Sequence, residues 1–537
     1  DNNNLGGYKD MIKNKYIELQ KTKLLNGTIG RRKFMMSVLA AGVALPSALS
    51  FANHAAASTA KKGGSIKTAF NLHGPDDTLD PCMLTSDTDY ARGRAHYNSL
   101  IQLSDDIVPQ PELASSFGAN ADATEWSFNI RKDVVFHDGS KLTADDVIYS
   151  MQRHMGADST SVAKGLFSVI KEWKKVGPYE VKAICETGYS DLPAILGEKH
   201  FKIVKDGTTD FINPVGTGPY KLESMRPGIG SVHVRNEDYW REGANFDSIE
   251  LFGITDSISR VSALLSGDAD MIISIPPNSL QQIESAEGID LISTPSGSYM
   301  GIGMHSEKEY GSNPDFVMAM KLLQRRERIV KTLLKGHGTV GNDNPINSAY
   351  GVDFCSDLPI NAYDPDRAKA LLKKSGITSA VMEAAEVSPG AVEMSLLLQR
   401  ECQKIGFDLN VKKVPTDGYW SAVWQKTPMH TTAWNMRPTA SIMLDMAYHP
   451  DAPWSDTFWK DERMRDLLNK VKGETDPKNR HALQCEMQKI VTENAPVVIP
   501  AHSSYLDAKS SKIHGVPKLP LGALGGGEWV EFAWLES

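Results

Sequence analysis

The sequence predicts an α/β protein, on three observations. The segment Trp126 to His154 reads as strand, turn and capped helix in succession. Trp126, Phe128 and Ile130 alternate as on a strand with one buried face, and Val134 to Phe136 resumes the alternation before Asp138-Gly139 turns the chain. Thr143 then stands as an N-cap with Asp146 three residues on, and Val147, Met151 and Met155 recur at a spacing of four. The second observation is the alternation of short strands and helices over the following two hundred residues or so. The third is a change of pattern near Tyr299 to His305, where Gly297, Gly301 and Gly303 break an apolar run and a long helical pattern follows from Asp315 to Leu334.

Taken in chain order, the first signal is an address. Gly30-Arg31-Arg32-Lys33-Phe34-Met35 opens an apolar stretch from Phe34 to Ala52 that meets Ala55-Ala56-Ala57, the layout of a secretory signal with a small-residue cleavage site. The paired arginines make it a twin-arginine signal, and the competing reading is a membrane anchor. Pro46 and the small residues of the stretch keep it weakly hydrophobic, which favours cleavage near Ala57. No cysteine follows until Cys82, so the cleaved product reads as a freely soluble periplasmic protein without a lipid anchor. Residues 1–29 are a polar extension rich in Lys and Asn.

Gly64 to Phe70 reads as the first strand and Asp76 to Pro81 as the loop after it. Strands are expected at Val181–Cys185, Tyr220–Ser224, Ser231–Arg235 and Ser248–Ile254, and a helix at Ser257–Leu265 with Gly267 as its stop. Beyond the glycine-rich strand come helices at Pro365–Ser375, Ala391–Ile405 and Glu462–Gly473 and a strand at Phe407–Val414.

Composition narrows the function classes. With 537 residues, 41% hydrophobic and 23% charged, the chain can bury two or three cores. A net charge of −8, with both signs mixed along the sequence, argues against a nucleic-acid partner. Cys82, Cys185, Cys355, Cys402 and Cys485 are odd in number and widely spaced, so at least one is unpaired within a monomer and no zinc spacing is present. Gly336 to Gly341 matches GxGxxG in letters only, because it follows a helix and runs into the turn-like Asn342 to Pro345. There is no HExxH pair, no GxSxG elbow and no Walker loop, so neither an enzyme nor a cofactor or metal protein is expected.

The Trp126–His154 block resembles the segment that marks the large solute-binding proteins of peptide- and nickel-type ABC importers. Further stretches of that family recur in order: Leu79-Asp80-Pro81, Asn213 to Tyr220, Arg235 to Trp240, Gly267 to Met271 and Tyr363 to Leu372. The resemblance covers about residues 63–537 and implies a two-lobe periplasmic binding protein, type II, cluster C, with an extra subdomain in lobe one. It divides the chain into an extension and signal at 1–57, lobe one at 58–303 with the subdomain at about 85–210, lobe two at 304–497, and a C-terminal return to lobe one at 498–537. Two crossings, near Tyr299 and near Val497 to His502, then form a hinge, and the ligand lies between the lobes. The implied partners are a small-molecule ligand, ABC permease subunits and, during export, the twin-arginine translocase, with the protein acting as a monomer.

The candidate site centres on Thr431 to Trp459, read as a loop after a strand. In peptide-binding relatives a Gly-Trp pair is followed by an acid that holds the ligand's α-amino group. Here Ala433-Trp434 is followed by Asn435-Met436-Arg437-Pro438-Thr439, so the charge is reversed. A guanidinium grips a carboxylate through parallel hydrogen bonds, which points to a peptide-like or amino-acid-derived acidic ligand. The open alternatives are an Arg437 paired internally with Asp445 or Asp451, and an ordinary di- or oligopeptide as ligand. Trp434, Tyr419, Trp420 and Trp424 are the expected flat walls, with Trp454 and Trp459 from the following loop. Asn435 and Thr439 flank the arginine, and Tyr299 near the hinge and Asn71 from lobe one complete the expected set.

Overall fold

The computed structural model describes residues 60–536. The twin-arginine motif and the cleavage site near Ala57 lie outside these residues.

A mixed sheet of eleven strands runs through the whole molecule. On the lobe-two side its order is Asp408–Lys413, Ser379–Ala384 and Met429–Trp434; on the lobe-one side it is Met271–Ile272, Ser65–Phe70, Ser248–Gly253, Gly230–Arg235 and Tyr220–Arg226. Two long strands join the halves, Ile289–Met304 and Val497–Ser510, paired antiparallel with each other. Their ends serve different lobes. Tyr299 to Met304 pairs on its other edge with Met429–Trp434, whereas Lys509 and Ala508 pair with Met271 and Ile272. Between the halves the register breaks: Pro295 faces Ser504 and Tyr299 faces His502, so Ser296, Gly297 and Ser298 stand opposite Ser503 alone. Only glycine fits at the middle position, because a Cβ on Gly297 would lie 2.4 Å from Tyr350 Cε2.

Alternation along the crossing strand builds two cores from one sheet. Met300, Ile302 and Met304 face the core covered by Ala391–Lys404, and Tyr299 faces the opposite core with Trp434, Tyr448 and Met464. In lobe one, the tail residues Ala523, Trp529 and Val530 pack with Ile66, Phe70 and Tyr220. A separate sheet of four strands, Ala114–Ala119, Glu125–Ile130, Glu180–Cys185 and Ile170–Gly177, carries its own core around Phe128 and Trp173. This extra unit touches lobe two, where Arg480 Nη2 lies 2.5 Å from Asp191 Oδ1.

The capped helix stands at Ala144–Gln152, and the Thr143 amide donates to Asp146 Oδ2 at 2.7 Å. Three expectations are corrected. Val134 to Phe136 is no strand and contributes a single bridge, Val135 to Lys141. The pattern from Asp315 to Leu334 is two helices, Pro314–Leu322 and Arg326–Thr332. The break arises because the Leu322 carbonyl, which a continuous helix would give to residue 326, accepts instead from the Asp364 amide at 2.9 Å. The segment Thr431 to Trp459 is not one loop, since it holds the end of a strand and the helix Ala440–Tyr448. Gly338–Val340, within the formal GxGxxG match, is a short strand paired with Val497–Ser510.

Candidate functional site

Trp434 ends its strand directly opposite Tyr299 on the crossing strand, so this corner of lobe two is fixed against the hinge. The chain then makes a short link before Thr439 caps the helix Ala440–Tyr448, its hydroxyl accepting from the Ile442 amide at 3.2 Å. The link is tied down from both sides. The Met436 amide donates to Ser298 Oγ at 3.2 Å, and the Arg437 amide donates to Tyr350 Oη at 3.3 Å. Ser298 Oγ also stands 3.5 Å from Tyr505 Oη on the second crossing strand. The hinge bulge, the Arg437 link and Tyr505 therefore form one connected surface.

Within that surface Arg437 makes no ion pair among the described residues. Its guanidinium carbon lies 5.9 Å from the centre of the Trp434 ring, and its buried Nε has no hydrogen-bond partner. Neither internal acid considered for it is available: Asp445 pairs with Lys472 at 3.0 Å, and Asp451 pairs with Arg465. The charge of Arg437 acts on two phenols from different parts of the molecule. Burial pushes the Tyr90 and Tyr350 hydroxyls up from their ordinary range, and the positive charge of Arg437 opposes that shift at both. Tyr90 belongs to the lobe-one helix Asp87–His96, and Lys199 Nζ lies 4.1 Å over its ring.

Carboxylates flank the same region. Asp507, on the second crossing strand, accepts from the Leu524 amide at 2.7 Å and the Ser274 amide at 3.1 Å, and burial pushes its carboxyl up to about 7. Asp87 stands close enough to raise it further. In lobe two, Asp456 accepts from Trp424 Nε1 at 2.6 Å, Thr432 Oγ1 at 2.7 Å and Trp434 Nε1 at 2.8 Å. Burial pushes its carboxyl up, against the pull of these three donors.

The structure brings Arg437, Trp434 and Tyr299 together at the hinge corner, with Asn435 exposed beside them. Thr439 spends its hydroxyl as the helix cap. Tyr419 is buried and donates its hydroxyl to the Thr431 carbonyl at 2.7 Å, a packing role inside lobe two. Trp420 is 47% exposed and meets Tyr419 and Trp424 edge to face. Asn71 follows the first strand in lobe one, where its Nδ2 donates to Ser274 Oγ at 3.3 Å and its buried Oδ1 has no partner among the described residues. Trp454 is half exposed beside Trp434, and Trp459 packs on the lobe-two core. Sequence reasoning missed Tyr350, Tyr505, Tyr90 and Asp456. None has a local motif; Asp456 at least falls inside the segment singled out for its interleaved aromatic and polar residues. Among the described residues no group of three or more His, Cys, Asp or Glu could hold a metal, and no helix is long and apolar enough to cross a membrane.

Comparison with known proteins agrees with this architecture. Residues 108–453 match the family model described as bacterial extracellular solute-binding proteins, family 5 Middle. The dipeptide-binding protein of Escherichia coli (strain K12) is 23% identical over 496 residues, covering 84% of this chain and 91% of its own. The periplasmic binding protein DppA from Helicobacter pylori, solved with the peptide STSA, superimposes with a TM-score of 0.73 at 22% identity, covering 89% of this chain and 99% of its own. The binding protein AgaA from A. tumefacien R10, solved with agropinic acid, gives a TM-score of 0.72 at 22% identity over 88% of this chain and 98% of its own. The fold is the two-lobe binding-protein fold of these structures, and the chain belongs to the bacterial extracellular solute-binding proteins of family 5.

Proposed function

We propose that this solute-binding protein is the periplasmic substrate-binding subunit of an ABC importer, and that its ligand is a small peptide-like or amino-acid-derived compound bearing a carboxylate. The observation that carries the ligand class is the guanidinium of Arg437, which makes no ion pair among the described residues and is set beside Trp434 on a link held by Tyr350. A half-buried guanidinium with a buried, unpartnered Nε is well placed to receive a carboxylate from a ligand. AgaA, of the same fold, was solved with an acid, which supports this choice over a ligand class without a carboxylate.

Lobe closure would bring the two walls onto the ligand and present the closed form to permease subunits, with no chemistry by the binding protein. In this reading the chain leaves the cytoplasm by the twin-arginine route, is cleaved near Ala57 and acts as a monomer.

The test is a thermal-shift screen of the stripped, refolded protein against matched acids, amines, peptides and sugars, since ligand at a hundred times its Kd adds about 2.7 kcal/mol. Arg437→Ala should weaken the acidic hits about tenfold or more while leaving the unliganded midpoint within a few degrees. An unchanged affinity removes Arg437 from the site; hits confined to sugars or amines sink the acidic-ligand reading.

A further inference from the structure

We propose that the extra unit latches the lobes shut through a contact that involves neither crossing strand, so that the closed form is the principal state of the protein before any solute binds. The inference goes beyond the proposed function and rests only on its closure of two lobes, not on the chemistry of the ligand.

The helix Ala440–Tyr448 is covered from two sides. Met443, Leu444, Ala447 and Tyr448 lie in the lobe-two core, whereas Ile442, 7% exposed, belongs to the core around Phe128 and Trp173 in the extra unit. Met446 packs against both cores. A helix that is apolar nearly all round needs cover on each face, and here the second cover comes from the other lobe. Parting the lobes would return Ile442 and one flank of Met446 to water, at a cost in hydrophobic free energy.

A polar clasp borders this apolar contact. Asp191, 4% exposed in the extra unit, has both of its side-chain hydrogen bonds in lobe two, from Arg480 Nη2 at 2.5 Å and Ser441 Oγ at 3.3 Å. The neighbouring Ser190 also turns to lobe two: its amide donates to the Lys472 carbonyl at 2.7 Å, its hydroxyl donates to the Val471 carbonyl at 3.1 Å, and its oxygen accepts from Arg480 Nη1. The backbones themselves approach closely, since a Cβ on Gly188 would lie 2.5 Å from Gly473 Cα. Each of these bonds crosses the boundary and breaks when the lobes part. The pair of Arg480 and Asp191 is largely withdrawn from water, which makes it stronger than an exposed ion pair. Arg480 Nη2 also donates to Ser441 Oγ at 2.5 Å, in the first turn of the helix that follows the Arg437 link, so the latch and the candidate ligand site share one helix. Solute then enters through a minor open form.

The test is pulsed electron spin resonance on the full-length protein stripped of ligand, spin-labelled through Lys174→Cys in the extra unit and Lys373→Cys in lobe two, both exposed positions. The distance of the closed structure should dominate with no solute present. Asp191→Asn and Ile442→Ala should each raise the population at longer distance about tenfold. Asp191→Asn removes the charge of a side chain whose hydrogen bonds all lie across the boundary, so the fold of the extra unit stays intact. A stripped protein dominated by the longer distance, or variants that keep the distance distribution of their parent, overturns the latch. Because no solute is added, the latch can fail while Arg437 proves to bind acids, and can hold while the acidic-ligand reading fails.

Discussion

Arg326 is buried and Arg437 half-buried, and the contrast between their partners separates a structural charge from one proposed to bind ligand. Arg326 has every arm engaged: Nη2 meets Asp343 Oδ2 at 2.7 Å and the Lys321 carbonyl at 3.1 Å, and Nη1 meets the carbonyls of Gly341 and Ile499 at 3.2 and 3.1 Å. Asp343 in turn accepts from the Ile499 amide at 3.0 Å and from Asn361 at 2.9 Å. Truncating the arginine strands that carboxylate in the interior, so Arg326→Ala should cost about 3–5 kcal/mol, read as a lowered denaturant midpoint. A cost below about 1 kcal/mol would mean that water reaches Asp343. No equivalent set of partners surrounds Arg437. Its departure from the expected acid was legible as a single residue in the sequence, because a reversed charge after Trp434 stands out in a short stretch. The partners that give it meaning, Tyr350 and Tyr90, come from 87 residues upstream and from the other lobe, and no spacing rule links them to it.

Elements with strong periodicity and explicit caps stand where the sequence puts them. Glu462–Gly473 and Pro365–Ser375 are examples, capped by Asp461 and Asp364. The errors occur where a distant group competes for a backbone hydrogen bond, as Asp364 does at Leu322, or where an apolar helix such as Ala440–Tyr448 shows too little amphipathic contrast to be separated from a loop. Cysteine pairing was illegible for the same reason. Cys355 and Cys485 form a disulfide across 130 residues, while Cys82, Cys185 and Cys402 are free and buried. The bond ties the long helix Pro477–Asn494 to the turn Ser348–Asp353, which carries Tyr350, the residue that holds the Arg437 amide, and Asp353, which accepts from the Ala440 amide at 2.9 Å. Gln488 supports the same junction, accepting from the Cys355 amide at 3.1 Å and donating to the Asp353 carbonyl at 2.7 Å. Replacing both cysteines by serine should therefore lower stability by up to about 4–5 kcal/mol, the chain-entropy value for so long a loop. It should weaken acidic ligands only a few-fold, because Gln488 still holds the turn. A denaturation midpoint unchanged by the replacement, or by reductant, would show that the thiols are unpaired in solution.

The molecule as a whole stores its pH response in histidines that it keeps neutral. Burial pulls His137, His200, His430 and His502 down to about 4, and His154 and His233 down to about 3, from an ordinary value of 6.5. Between pH 6.5 and 4 the unfolded chain binds protons that the folded chain refuses, so each of these groups makes the fold less stable as the pH falls through that window. Asp507 acts the other way. Its carboxyl, raised to about 7 from 3.8, keeps a proton in the fold that the unfolded chain releases, so its contribution favours the fold as the pH falls from 7 toward 3.8. The histidines outnumber it and are spread over both lobes and the extra unit, so the balance is acid lability of the entire fold. The urea midpoint should fall steadily between pH 7 and pH 5, each titrating histidine adding up to about 1.4 kcal/mol per pH unit. The fall should be steeper in Asp507→Asn, where one opposing group is gone. A midpoint that holds level or rises on acidification would mean that these rings are hydrated in solution, and with it that the lobes do not pack as tightly around the hinge as their buried histidines require.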